Sequence, residues 1–203
     1  MSDVFRQQYA SPEERRDRVR AFCEACLDEV SEEAGNRGFT LEIGCGHGHW
    51  LVAYAETRPQ EACIGLDLMT KRIEKAEKKR RKRNLTSLFF FKTDAVEFLE
   101  CAPEELRFCR IVVLFPDPWP KKRHFKRRLI RPAFLELLHS RSLPEAELCF
   151  RTDYGPYFDW AVEHVEEHDL WNLRDEAPWP FEHETFFQNL LPEHQSFVAT
   201  AEH

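Results

Sequence analysis

Three of the seven glycines in this 203-residue chain, Gly44, Gly46 and Gly48, fall within five residues in the segment LEIGCGHGHW. Glycine adopts positive φ without penalty and lets backbone approach a ligand closely. A glycine turn leading from a strand into a helix also offers the helix's first N–H groups to that ligand. Asp67 follows at about the 20-residue spacing that puts an acidic side chain of the next strand on ribose hydroxyls. These residues together suit a cofactor that contains a nucleoside. They do not make the dinucleotide fingerprint, Gly-x-Gly-x-x-Gly, because His49 occupies the position of its third glycine.

A second segment with chemical potential is Phe115–Arg128, FPDPWPKKRHFKRR. Pro116, Pro118 and Pro120 fix φ at three of five positions, a stiffness that suits holding Asp117 and Trp119 in one geometry. The cations that follow, Lys122, Arg123, Lys126, Arg127 and Arg128, suit phosphate groups. Seven basic residues lie within Lys121–Arg131 and nine within Lys71–Arg83. The second tract suits a solvated helix face as well as it suits RNA. The first adjoins Asp117 and is the better RNA candidate.

Glu42-x-Gly44-x-Gly46-x-Gly48 resembles the first motif of class I S-adenosylmethionine-dependent methyltransferases. Lys92-Thr93-Asp94-Ala95 fits the same family, in which an acidic residue after the third strand meets the adenine. PDPWPKKRHxKRR resembles the signature of the bacterial tRNA (guanine-N7-)-methyltransferases, with similarity from about Phe39 to Asp153 and more weakly to Gln188. Amino-group methyltransferases carry Asn/Asp-Pro-Pro-aromatic at this point, where this chain has Asp-Pro-Trp.

The resemblance implies methyl transfer from S-adenosyl-L-methionine to N7 of a guanosine in the variable loop of tRNA. It implies that Glu42, Gly44, Gly46, Gly48, Asp67, Asp94 and Asp117 bind the cofactor and that Asp117 is also catalytic. Lys121, Asp153, Thr185 and Gln188 match substrate-contacting positions. No metal, no membrane and no obligatory protein partner is implied, and the expected compartment is the cytoplasm. The chemistry agrees with a lone carboxylate, since guanine N7 has a free lone pair and no proton to lose. Two departures stand out: Gln188 replaces the family's glutamate, and the glycine-containing tail is missing. The alternatives are a methyltransferase of the same fold acting on another RNA, a protein or a small molecule, and a non-catalytic RNA-binding relative.

Apolar spacing locates the elements that must position these residues. Residues 12–34 have helical periodicity through Val19, Phe22, Cys23, Cys26, Leu27 and Val30. Short strands are expected at 39–43, 62–66, 88–91, 111–115 and 147–151, with helices at 50–56, 70–83, 95–100, 132–139 and 157–167. Two further strands fit 170–173 and 196–200. This alternation predicts a doubly wound, mostly parallel α/β sheet of seven strands, the Rossmann-like class I methyltransferase fold. We read 1–203 as a single methyltransferase domain, with 1–36 a helical extension and 37–203 the catalytic core.

Composition sets the outer limits. A hydrophobic content of 42% with 13% aromatics argues against wholesale disorder. No run reaches the roughly 20 apolar residues of a membrane span. Seven scattered cysteines, an odd number, argue for free thiols in a reducing compartment. The net charge of -7 taken alone argues against nucleic acid. Its distribution does not: residues 1–152 hold 28 basic and 24 acidic groups, whereas residues 153–203 hold one basic and 12 acidic. Screening over about 8 Å makes the local patches count more than the total. Cys23-x-x-Cys26 lacks a second ligand pair and fits the core side of its helix. His47 and His49 alone do not make a metal site.

Overall fold

The short apolar runs form seven strands: β1 (Phe39–Ile43), β2 (Ala62–Asp67), β3 (Leu88–Lys92), β4 (Phe108–Leu114), β5 (Ser142–Thr152), β6 (Trp171–Leu173) and β7 (Gln195–Ala201). The computed structural model describes residues 11–174, 177–183 and 193–202. One sheet holds all seven strands in the order β3-β2-β1-β4-β5-β7-β6. Strands β1 to β5 pair in parallel, and β7 lies antiparallel between β5 and β6. The chain order reverses between β1 and β4, so the crevice at their C-terminal ends is the switch point of a doubly wound sheet.

Helices α1 (Pro12–Glu29), α2 (Glu32–Asn36), α3 (His49–Thr57), α4 (Thr70–Lys82), α5 (Ala95–Cys101), α6 (Pro132–Ser140) and α7 (Gly155–Glu166) complete the fold, with a 3₁₀ turn at Lys122–Arg127. Side chains alternate across the pleat. Phe39, Leu41 and Ile43 of β1 join one core with Val19, Phe98, Phe134, Leu135 and Val165 of α1, α5, α6 and α7. The other face packs against Trp50, Leu51 and Tyr54 of α3 and Ala76 of α4.

The expected elements are present, with informative shifts. The single helix expected over 12–34 is two helices, because Val30 is extended and the Ser31 side chain caps α2 by accepting from the Ala34 N–H at 3.2 Å. Strand β5 begins at Ser142, five residues before its apolar run, since Pro144 and Glu145 disguise its start. Strand β4 stops at Leu114 because Phe115 turns to φ 47°. Cys23 and Cys26 are buried in the core, and all seven cysteines are free thiols. Burial pushes the Cys23 thiol up to about 12. Among the described residues, no helix is long and apolar enough to cross a membrane.

Candidate active site

The loops leaving β1, β2, β3 and β4 all end at the switch point, as the parallel order requires. Between them lies a cleft of about 490 Å³. Gly44, Asp67, Asp94 and Asp117 line it, together with Arg72, Phe115, Trp119 and Arg127.

The glycine turn is held from below by Asp67, whose side chain is 4% exposed. Its Oδ2 accepts from the Gly46 N–H at 3.1 Å and from Arg72 Nη1 at 3.3 Å, and its Oδ1 accepts from the Met69 N–H at 2.7 Å. Gly44 and Gly46 have φ of 73° and 56°, and a Cβ built on either would meet no atom within 4 Å. The space in front of them is open. Gly48 differs. A Cβ there would lie 2.8 Å from both Ala76 and Phe90, so this glycine lets α4 and β3 close onto α3. Asp94 caps α5, its Oδ1 accepting from the Val96 and Glu97 N–H groups at 2.9 and 3.2 Å.

Glu42 lies on the α3 face of β1, opposite Gly65 in the β1–β2 register. It is 3% exposed and its Oε2 has no hydrogen-bond partner among the described residues. It sits behind the glycine turn rather than among the residues that line the cleft. Burial pushes its carboxyl up to about 8; the Leu51 N–H opposes this, and the nearby Asp67 charge adds to it. A folded-state value above the usual 4.5 means the native state holds the extra proton. The Glu42 contribution to stability is then fully present below about pH 4.5 and is lost as pH rises through 8. Glu42→Gln should leave the melting temperature nearly unchanged near pH 5 and raise it at pH 8.5, on the order of 10 °C for a chain of this size. Thermal melts of both proteins across this range check the sign. A constant difference at all pH values would show that Glu42 is ionised throughout.

The Asp117 loop is strained and clamped. Phe115 and Trp119 have φ of 47° and 45°, a region bulky residues rarely occupy. The Phe115 N–H donates to Arg151 O at 2.8 Å. Arg127 stacks over the Trp119 ring with its Cζ at 4.8 Å, and the His124 ring meets Trp119 edge-on at 5.7 Å.

Arg128 departs from expectation. Expected on the phosphate-binding surface with Lys122, Arg123, Lys126 and Arg127, it is only 1% exposed. Its guanidinium lies 3.9 Å over Phe125, with Tyr157 and Trp160 at 4.9 and 5.2 Å. Its Nε donates to Pro118 O at 3.0 Å and its Nη1 to Pro156 O at 3.3 Å. The aromatic cage removes it from RNA and makes it a clamp between the Asp117 loop and α7. Lys122, Arg123, Lys126 and Arg127 remain exposed.

Lys121 and Asp153 are exposed but do not line the cleft. Thr185 and Gln188 lie outside the described residues. Sequence reasoning paired Trp119 with Asp117 but missed Arg72 as a partner of Asp67. Arg72 was legible as the cation about one helical turn beyond Asp67. The Trp119 placement depends on a positive φ that no sequence pattern announces.

Residues 36–199 match the model of a family described as "Putative methyltransferase". The chain belongs to that family. The resemblance noted in the glycine and Asp-Pro-Trp motifs is therefore borne out at the level of the family. A tRNA (guanine-N(7)-)-methyltransferase of Chromohalobacter salexigens is 39% identical over 128 residues, covering 63% of this chain and 52% of that protein. A protein of the same name from Methylococcus capsulatus is 44% identical over 143 residues, covering 70% of this chain and 60% of that protein. The chain thus spans between about half and three-fifths of these curated relatives. The solved structure of TrmN from Thermus thermophilus matches with a TM-score of 0.59 at 19% identity, over 88% of this chain and 48% of that one. At that identity the match speaks to the fold alone, and it agrees with the doubly wound sheet of this methyltransferase family.

Proposed function

We propose that this methyltransferase transfers a methyl group from S-adenosylmethionine to N7 of a guanosine in tRNA. The observation that carries the reading is the shared cleft: one carboxylate, Asp117, faces the same space as the glycine turn and Asp67. The donor set fits the cofactor. Gly44 and Gly46 leave an open cradle that any Cβ would begin to fill. Asp67 and Asp94 stand at the ends of β2 and β3, where acidic groups can accept from ribose and adenine. Glu42 stands behind the turn, where its carboxyl accepts from the Leu51 N–H of α3.

When bound, S-adenosylmethionine supplies a methyl group activated by a sulfonium. The chain's part is positioning and electrostatics. No residue has to remove a proton, because N7 presents its own lone pair. Asp117 orients the base and opposes the positive charge the ring acquires. Holding N7 in line with the methyl group supplies the effective concentration. Lys121, Asp153, Thr185 and Gln188 contact the substrate, and Lys122, Arg123, Lys126 and Arg127 hold the RNA backbone. In this reading residues 1–203 act as one cytoplasmic catalytic domain, with tRNA as the partner and neither a metal nor an obligatory protein partner.

The test is incubation with labelled S-adenosylmethionine and tRNA from a strain lacking N7-methylguanosine, followed by chain cleavage at the modified base. Label at a variable-loop guanosine is expected. Bound cofactor without label on tRNA would direct the activity to another substrate. Asp67→Ala strips the acceptor from Gly46, Met69 and Arg72 together, and charged hydrogen bonds contribute about 1.5–3 kcal/mol each. Cofactor affinity by calorimetry should fall on the order of 100-fold. Unchanged affinity would remove Asp67 from the binding site.

A further inference from the structure

Helix α4 begins at the cleft, where Met69 and Arg72 form part of the lining. Half of its cations have tasks: Arg72 pairs with Asp67, Arg80 and Arg81 pair with Glu77, and Lys79 donates to His47 O at 2.6 Å. Lys71, Lys75, Lys78 and Lys82 do not. All four are exposed, and among the described residues none has an ion-pair partner. Their spacing of four, three and four residues places them within an arc of about 60°, in a row about 16 Å long. The buried Ala76 lies on the other side of the helix.

We propose that this lysine row is a track for the phosphate backbone of the RNA substrate, leading away from the cleft along α4. The proposal rests on the RNA reading given above. Three observations favour it over a merely solvated face. The charges differ between the flanks: at 100° per residue, Glu74 and Glu77 share one flank of the row with Arg81, which pairs with Glu77, whereas Arg72 and Lys79 make the flank toward the glycine turn wholly cationic. Second, Lys71–Lys75 and Lys78–Lys82 are like-charge pairs at i,i+4, which weaken a helix on its own. A polyanion laid along the row reverses that repulsion and releases counterions. Third, the basic field reaches the glycine turn: desolvation first, and then the charges of Lys75, Lys79 and Arg72, hold the His47 imidazole below its ordinary value, and Lys79 donates to His47 O at 2.6 Å. Arg127 of the 3₁₀ turn also lines the cleft, so cations border it from α4 and from that turn. An RNA anchored by its target base can then be gripped on both sides.

The test measures binding of unfractionated tRNA by fluorescence anisotropy across a salt titration. It compares the unaltered chain, the quadruple variant K71Q/K75Q/K78Q/K82Q, the two half variants K71Q/K75Q and K78Q/K82Q, and a quadruple Lys→Arg control. Each phosphate contact contributes about -0.7 to -0.9 to the slope of log K against log salt. The quadruple Gln variant should lose about 3 from that slope, each half variant about half as much, and the Arg control nothing. Cofactor affinity should not move, and relief of the like-charge pairs should raise the melting temperature of the quadruple Gln variant by no more than about 1–4 °C. An unchanged slope in the Gln variants, with tRNA bound and methylated, overturns the track and leaves the RNA reading standing. Absence of both tRNA binding and methylation in the unaltered chain overturns the RNA reading, and the track with it.

Discussion

Asp117→Asn is expected to lower the rate of methyl transfer on the order of 100-fold while cofactor affinity stays within about threefold. Asparagine matches aspartate in size, so the loop should keep its shape. Pro116, Pro118 and Pro120 and the Phe115 N–H bond to Arg151 O at 2.8 Å fix that shape independently of the Asp117 charge. The substitution removes the negative charge facing the ring as it turns cationic and retains a hydrogen-bonding carbonyl. The effect should therefore lie in the chemical step. Single-turnover rates at saturating tRNA, with cofactor affinity by calorimetry, separate the two. Full activity in the variant would exclude an electrostatic role for Asp117.

The second large effect should come from a residue that touches neither ligand. Arg128→Leu deletes a guanidinium caged by Phe125, Tyr157 and Trp160 and leaves the Pro118 and Pro156 carbonyls without their donor. A desolvated cation–π contact contributes about 2 kcal/mol. Each lost hydrogen bond from a charged donor adds to that. Burying the guanidinium costs desolvation, seen in the lowered Arg128 pKa, and offsets part of the gain. A net loss of about 3 kcal/mol corresponds to a drop of roughly 6–12 °C in melting temperature. Arg128→Lys keeps the charge but cannot reach both carbonyls. It should fold, bind cofactor normally and transfer methyl groups roughly tenfold more slowly, because the Asp117 loop loses its tie to α7. A Lys variant with unaltered turnover would restrict Arg128 to stability.

Particular residues show how far the sequence could be read. The glycine spacing and the acidic residue about 20 positions on were legible because both follow from the geometry of a strand–turn–helix unit. The strands were legible because buried parallel strands are nearly continuous apolar runs. Arg128 was not, since a run of cations looks the same whether a member faces water or is folded under an aromatic cage made by the nearby Phe125 and by the sequence-distant Tyr157 and Trp160. Asp67 was placed correctly at the end of β2, but its work in holding Gly46 and Met69 depends on how the two loops meet. Gly48 stands in the motif beside Gly44 and Gly46, and only the 2.8 Å approach of Ala76 and Phe90 separates its packing role from their open one. The break at Val30 left only a weak trace, a serine in position to cap the next helix.

The placement of β7 between β5 and β6 bears on how the chain acquires its structure during synthesis. Among the described residues, 195–201 supply the only pairing of β6 and the outer pairing of β5. A nascent chain that has emerged through β6 can assemble the five parallel strands, but it still displays the open backbone edge of β5. Unpaired edges invite association with other chains. The ribosome must deliver Gln195–Ala201 before that edge is covered, so the interval between emergence of β5 and arrival of β7 is when the polypeptide most needs chaperone protection.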